Sequence, residues 1–254
     1  MLSRSVLTAF LTLAAPPAFA QMAETPLEAP PEAPPADAAP AEPAAPVARD
    51  LTQAEIKAFN QAVTAFTAGQ TAQQKGDNQA AVTHYDAALP AIRVAVEADP
   101  AGIDNVAFLA NALYADAAAY GALGQMDKVT PLYQEALPHW RRLVEAKPAD
   151  ATSRNILASI LIQIGNSKLA DHDRSGADPY YAEALPLARK GVEEQPNDPA
   201  ARNVLLSALI GAGQTSTEEG MLEEALNMGK AMIADGSIDA SNRPTVETMT
   251  GPAG

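Results

Sequence analysis

Apolar residues recur at offsets of three and four on both sides of Gly124, in the stretch from Ala112 to Pro148. That spacing places them on one face of each of two amphipathic helices. A glycine adopts the positive φ at which a helix ends and the chain reverses, and Pro148 marks where the second helix can no longer continue. The stretch therefore predicts a helical hairpin, with apolar positions at Leu113, Ala117, Tyr120, Val129, Tyr133, Ala136 and Leu137.

The hairpin pattern recurs every 48 residues along most of the chain. The residues that keep this interval are the turn positions Gly76, Gly124, His172 and Gly220, the closing prolines Pro100, Pro148, Pro196 and Pro244, and the small positions Gly69, Ala117, Gly165 and Gly213. A period of this length indicates a solenoid of stacked hairpins. Thr52 with Glu55 forms a capping box that predicts the first helix start. The predicted repeats span 52–100, 101–148, 149–196 and 197–244.

The apolar and small positions around each turn resemble the tetratricopeptide repeat. The residues that carry the resemblance are Ala81, Tyr85, Ala88 and Leu89 after Gly76; Val129, Tyr133, Ala136 and Leu137 after Gly124; and Ala225, Met232 and Ile233 after Gly220. The resemblance implies an all-α fold, a right-handed superhelical array of antiparallel helix hairpins with four repeats. The usual repeat is 34 residues, so longer hairpins are expected here. In the last copy, Asp235-Gly236 predicts an early end of the second helix.

Three further segments surround the predicted array. The first twenty residues carry Arg4, an apolar run and Ala18-Phe19-Ala20, which predicts a secretory signal peptide, a mature chain from Gln21 and a periplasmic location. A run of about ten apolar residues is too short to span a bilayer, so a retained anchor is the minor alternative and no membrane insertion is expected after cleavage. Residues 21–50 are rich in Ala, Pro and acidic residues, which predicts a disordered linker. Residues 245–254 are expected to form a flexible tail.

The composition and the net charge of the chain argue against nucleic-acid binding and against catalysis. The 254 residues contain no cysteine and carry a formal net charge of −14. Such an acidic chain repels nucleic acids, so none is expected as a partner. The three histidines lie in different copies, and neither a glycine-rich phosphate loop nor a nucleophile elbow is present in the sequence. We therefore expect a protein that is not an enzyme and needs no cofactor.

One loop has the spacing of a calcium ligand set. Asp171, Asp173 and Ser175 alternate before a glycine, as oxygen ligands do in a calcium loop, but Ala182 stands where the bidentate glutamate is needed. Calcium is therefore a weak candidate. The other interpretation is an elongated turn in which Asp178 caps a helix that begins at Pro179.

The resemblance also implies that the first helix of each hairpin lines a concave face. The groove positions carried over to this sequence are the apolar row Phe66, Tyr114, Ile162 and Ile210, flanked by Gln70, Asn111, Asn155, Ser159, Asn166, Asn203, Ser207 and Gln214. An apolar strip flanked by amides suits an extended neutral peptide, because amides donate to and accept from a peptide backbone. The alternative is that the strip packs against neighbouring helices and the amides are only solvated.

These features predict a periplasmic adaptor or scaffold of the tetratricopeptide type. It would hold a peptide segment or a partner protein of the cell envelope in its concave groove. The alternative is a structural component of the envelope that associates with itself through exposed terminal hairpins.

Overall fold

The computed structural model of this chain describes residues 48–216 and 219–250. These residues form nine helices and no strand, and consecutive helices pack against each other. The predicted all-α array of antiparallel hairpins is therefore confirmed. The helices are α1 (Gln53–Gln74), α2 (Asn78–Ala98), α3 (Ile103–Ala122), α4 (Met126–Ala146), α5 (Ala151–Ala170), α6 (Arg174–Glu194), α7 (Pro199–Thr215), α8 (Met221–Asp235) and α9 (Arg243–Thr250).

Several predicted segments lie outside the described residues. These are the signal peptide with its cleavage site before Gln21, residues 21–47 of the linker, and residues 251–254 of the tail. Across the described part of the chain, no helix has both the length and the apolar character that a bilayer crossing requires.

The four turns inside the hairpins use the left-handed backbone conformation, as their spacing predicts. Gly76, Gly124 and Gly220 have φ values of 78°, 72° and 91°, and His172 fills the remaining turn with φ 61°. α2, α4 and α6 begin at Asn78, Met126 and Arg174, so the 48-residue interval of the sequence also separates equivalent helices. Glycine reaches this region without steric cost, which explains why three of the four turn positions are glycine.

The first helix begins with the predicted capping box. The Glu55 N–H donates to Thr52 Oγ1 at 3.3 Å, and the Thr52 N–H donates to Glu55 Oε2 at 2.7 Å. The Arg49 guanidinium, which donates to both oxygens of Glu55, and the bonds from Thr52 lower the pKa of Glu55 to about 2. The Arg49 N–H also donates to the Ala98 carbonyl at 2.8 Å. Arg49, near the end of the predicted linker, is thus bound to the first hairpin.

Close approach of the two helices in a hairpin depends on small residues facing tyrosine rings. An ideal Cβ at Gly69 would lie 2.5 Å from Tyr85 Cε1, and one at Gly165 would lie 2.8 Å from Tyr181 Cζ. Both distances are shorter than a nonbonded contact allows, so each ring occupies the space that a larger side chain would need. Gly69 and Gly165 therefore allow the two helices of their hairpins to pack closely.

The C-terminal part of the chain departs from the predicted flexible tail. α8 ends at Asp235 with Gly236 in the left-handed region, so the predicted early end of the last second helix is confirmed. Residues 245–250, however, belong to α9, and Val246 is buried. A Cβ at Gly229 would lie 2.6 Å from Val246 Cγ2, so α9 packs closely on α8. The apolar contact of Val246 explains why this segment is helical.

Candidate partner-binding surface

The apolar row of the predicted groove is largely taken up by packing within the array. Ile162 and Ile210 are only 3% and 8% exposed. Phe66 contacts the ring of Phe108 edge-on with centroids 5.2 Å apart, and Tyr114 packs similarly on Trp140 at 6.3 Å. Neighbouring helices therefore already cover much of this row, which favours the alternative that the strip packs within the array, while Phe66 and Tyr114 stay partly exposed.

The packing of Trp140 explains part of this coverage. Its side chain is buried, and its Nε1–H donates to the Ala110 carbonyl of α3 at 3.2 Å. The indole therefore fixes α4 against α3 through both apolar contact and a hydrogen bond. Trp140 is therefore a packing residue of its own hairpin.

Four of the predicted amides remain exposed on the first helices. They are Gln70 on α1, Asn111 on α3, Asn166 on α5 and Gln214 on α7. Asn166 and Gln214 are 48 residues apart in sequence, and α5 contacts α7 directly, so these two amides occupy equivalent positions on neighbouring helices. The structure thus retains a set of exposed amides, which we call the amide row, beside a packed apolar row.

Local hydrogen bonds leave part of each amide available. Asn111 Nδ2 donates to the Ala107 carbonyl at 2.7 Å, which leaves its Oδ1 facing solvent. Asn166 Oδ1 accepts from the Tyr181 hydroxyl at 2.6 Å. Burial raises the pKa of Tyr181 to about 12, so this hydroxyl stays protonated and keeps donating at neutral pH. The Asn166 Nδ2 group is then oriented by Tyr181 and can donate to a partner.

One of the predicted groove residues, Asn155, faces a neighbouring helix instead. Asn155 Oδ1 is buried, and a Cβ at Gly191 of α6 would lie 2.8 Å from it. Ser159 Oγ donates back to the Asn155 carbonyl at 2.9 Å. Asn155 therefore lies against the second helix of its own hairpin, and its assignment to an open groove is corrected. The cause is that α6 continues to Glu194 and covers it.

The side-chain amide of Asn203, on the first helix α7, binds the backbone of a later part of the chain. Its Nδ2 donates to the Ser237 carbonyl at 2.8 Å, and its Oδ1 accepts from the Asp239 N–H at 2.9 Å. Asn242 adds a bond from its Nδ2 to the Asn203 carbonyl and accepts from Ser207 Oγ at 2.9 Å. The chain's own residues 237–242, the C-terminal segment, therefore occupy Asn203 and Ser207.

Two of the candidate calcium ligands cap helices. Asp173 is the N-cap of α6, where its Oδ1 accepts from the Gly176 N–H at 2.8 Å, and Asp171 is the C-cap of α5. The predicted helix start at Pro179 with Asp178 as cap is wrong, because Asp173 already caps the helix five residues earlier. Across the described residues there is no group of three or more His, Asp or Glu that could hold a metal ion.

We expect calcium to leave the melting temperature of the protein unchanged. The Asp173 carboxylate stabilises the α6 N-terminus through hydrogen bonds, which need no cation. Thermal melts with added calcium and then with a chelator check this. A rise in melting temperature that the chelator reverses would assign the loop to calcium instead.

A ladder of ion pairs connects successive second helices, and the sequence reading missed it. Arg93 pairs with Glu135 at 2.6 Å, Arg141 with Glu183 at 2.6 Å, and Arg189 with Glu224 at 2.7 Å. Each arginine bonds both carboxylate oxygens, which fixes the relative rotation of the two helices. The signal was present, because the three arginines are separated by 48 residues.

Similarity to known proteins is found among solved structures. No family model matches the chain, and no curated protein matches it. Several solved structures are similar to the chain, and one of them, described as the crystal structure of MamA protein, aligns with 69% of this chain and 95% of its own chain at 16% sequence identity and a TM-score of 0.29.

Proposed function

We propose that this protein is an adaptor of the tetratricopeptide type that holds an extended segment of a partner protein against its first helices. The observation that carries the proposal is the contact of Asn203 with the C-terminal segment. There one primary amide donates to one backbone carbonyl and accepts from the N–H two residues later. This pairing reads backbone rather than side chains, so it suits partners of varied sequence.

The amide row extends the same chemistry to surface that the chain leaves open. Asn111, Asn166 and Gln214 are exposed on helices that follow one another in the array. Their amides can donate to and accept from a backbone without adding charge. Because the chain carries a formal charge of −14, a neutral or basic segment suits this surface better than an acidic one.

The proposed setting is the periplasm. The sequence features that support it are the signal-like first twenty residues and the Ala- and Pro-rich stretch that follows. Cleavage before Gln21 would release the mature chain, and the linker would space the array from whatever its N-terminus meets. We propose no catalytic role and no cofactor, and the partner would be a protein or peptide of the cell envelope.

Replacing Asn111 and Asn166 together by Ala should weaken capture of the partner from an envelope extract several-fold. The variant loses one amide on each of two first helices, while the helices keep their packing. The free energy of unfolding should fall by only about 1 kcal/mol, mainly because the Tyr181 hydroxyl loses its acceptor. Affinity capture with quantitative mass spectrometry, together with thermal melts, measures both effects.

The matched control replaces Gln79 and Gln134 by Ala. These amides are exposed on the second helices α2 and α4. Capture by this control should equal that of the unmodified chain. If both double variants capture the partner equally well, the binding site does not lie on the first helices.

A second candidate function is self-association through the first hairpin. Its outer face forms a shallow apolar groove between α1 and α2 that no other described helix covers, lined by Ala58, Gln61, Ala62, Ala65, Ala87, Pro90, Ala91 and Val94. Light scattering on the purified mature chain separates the two candidates. A stable assembly formed without a partner favours the structural function, and a monomer favours the adaptor.

A further inference from the structure

Asp116 places a carboxyl group at an apolar position of the array. The other repeats have Ala68, Ile164 and Ala212 at this position, 48 residues apart. The side chain is 0% exposed, and neither carboxyl oxygen accepts a hydrogen bond from the residues that the structure describes. A buried carboxylate without a partner is strongly disfavoured, so this group requires a compensating interaction.

The arginine that attracts Asp116 already forms an ion pair with another carboxylate. Arg93 of α2 donates through Nε and Nη2 to the carboxylate of Glu135 on α4, at 2.6 and 2.8 Å. Its attraction for Asp116 acts only at longer range, without a direct bond. Asp116 therefore has to be compensated by something other than an ion pair.

Asp86 of α2 is an acidic neighbour of Asp116, and both its charge and a side-chain hydrogen bond with it raise the pKa of Asp116. Asp86 is exposed at the surface and accepts from the Tyr120 hydroxyl at 2.7 Å. Tyr120 lies one turn after Asp116 on α3, so the two carboxyls and the hydroxyl form one cluster across the α2–α3 contact. The titratable and charged groups that face Asp116 are Asp86, Arg93 and Tyr85 from α2 and Tyr120 from α3, with Glu135 from α4 behind Arg93.

We propose that Asp116 is protonated in the folded protein and donates a hydrogen bond to Asp86, so that one proton shared between the two carboxyls closes the contact between the first two hairpins. Loss of that proton to solvent would leave a buried charge beside a second carboxylate. The contact between α2 and α3 is therefore a proton-dependent joint, and it weakens as the pH rises.

The raised pKa of Asp116 determines how the stability of the folded protein changes with pH. Burial first, and then the charge of Asp86, raise the pKa of Asp116 to about 7. The unfolded chain has an ordinary aspartate there, with a pKa of about 3.9. The stabilisation is thus fully present below the unfolded value, is lost progressively as the pH rises from there, and is gone above about 7.

His139 is another group whose pKa is shifted near neutral pH, and its effect on the stability of the fold has the opposite sign. Burial lowers the pKa of His139, so its ionisation costs stability only when the pH falls below about 6.5. Measurements between pH 6.5 and pH 8.5 therefore report on Asp116.

Thermal melts of the mature chain at these two pH values test the proposal. The unmodified chain should melt about 2 °C lower at pH 8.5 than at pH 6.5, because this window covers the last part of the loss. Asp116→Asn, which keeps the shape and removes the charge, should lose most of this difference. Asp127→Asn is the control, because that side chain is 77% exposed and its removal should leave the difference intact.

A second measurement stands even if Asp116→Asn does not fold. Infrared titration of the unmodified chain should show one carboxyl that loses its proton between pH 6 and pH 8. In Asp86→Asn the same transition should move to lower pH, because one cause of the shift is removed. An equal pH dependence of melting in the unmodified chain and Asp116→Asn, or no carboxyl that titrates in this range, would overturn the proposal.

Discussion

Replacing Gly211 by Ala should lower the free energy of unfolding by about 2–3 kcal/mol, although alanine is the better helix former. An ideal Cβ at Gly211 on α7 would overlap the ring of Tyr181 on α6. That ring is fully buried and already touches Gly165 on α5, so it cannot move aside. The added methyl must therefore push α7 away from α6, which opens the contact between the third and fourth hairpins.

Gly121→Ala is the matched control for this substitution. Gly121 also lies inside a first helix, but its Cβ would meet Val129 Cγ2 at 3.7 Å, an ordinary contact. We expect this variant to be more stable by about 0.5–1 kcal/mol, because alanine restricts the unfolded chain. Chemical denaturation of both variants measures the two changes. A stabilised Gly211→Ala protein would show that Tyr181 does not fix the spacing of these helices.

Replacing Arg154 by Ala should cost about 3 kcal/mol of stability. Its side chain is 2% exposed, donates to the Pro148 carbonyl at 2.6 Å and pairs with Glu194 of α6. Truncation removes both bonds and leaves a cavity where the side chain had filled the interior. The start of α5 and the end of α6 would then separate.

Arg141→Ala provides the comparison for Arg154. It also removes an arginine that pairs with a glutamate on another helix, but the Arg141 side chain is 48% exposed. Water can replace its hydrogen bonds, so we expect a loss of about 0–1 kcal/mol. Thermal or urea unfolding of the two variants distinguishes the positions. Equal losses would mean that burial does not set the contribution of these ion pairs.

The hairpins and their turns could be predicted from the sequence because each depends on local chemistry. A glycine, or His172 in its place, recurs wherever the chain must take a positive φ. The early end of α8 at Gly236 rests on the same property. Side-chain spacing then assigns the apolar face of each helix, so the all-α array follows without knowledge of long-range contacts.

The groove could be predicted only in part, because helical spacing shows which face is apolar and not what covers it. Ile162 and Ile210 lie on the predicted face but are buried by contacts within the array. Asn203 is bound by Ser237 and Asp239, more than thirty residues later in the chain. No local sequence pattern predicts that the C-terminal segment packs against α7.

The start of α6 was misplaced because proline is common at the first helical position. Pro179 lies inside α6, and Pro131 occupies the same position of α4. Comparing the two copies would have placed both prolines after a helix start, at the cost of one backbone hydrogen bond each. The arginine ladder could have been found in the same way. Repetition in the sequence thus carries more information than any single copy.

The most direct test of the adaptor proposal is photocrosslinking in the cells that make the protein. A photoreactive residue is placed at Asn111 on α3 or at Gln214 on α7, and the control position is Gln134 on α4, which is equally exposed. We expect covalent adducts with a partner protein from the two first-helix positions and none from Gln134. Adducts from Gln134 alone would contradict the proposal that the first helices hold the partner.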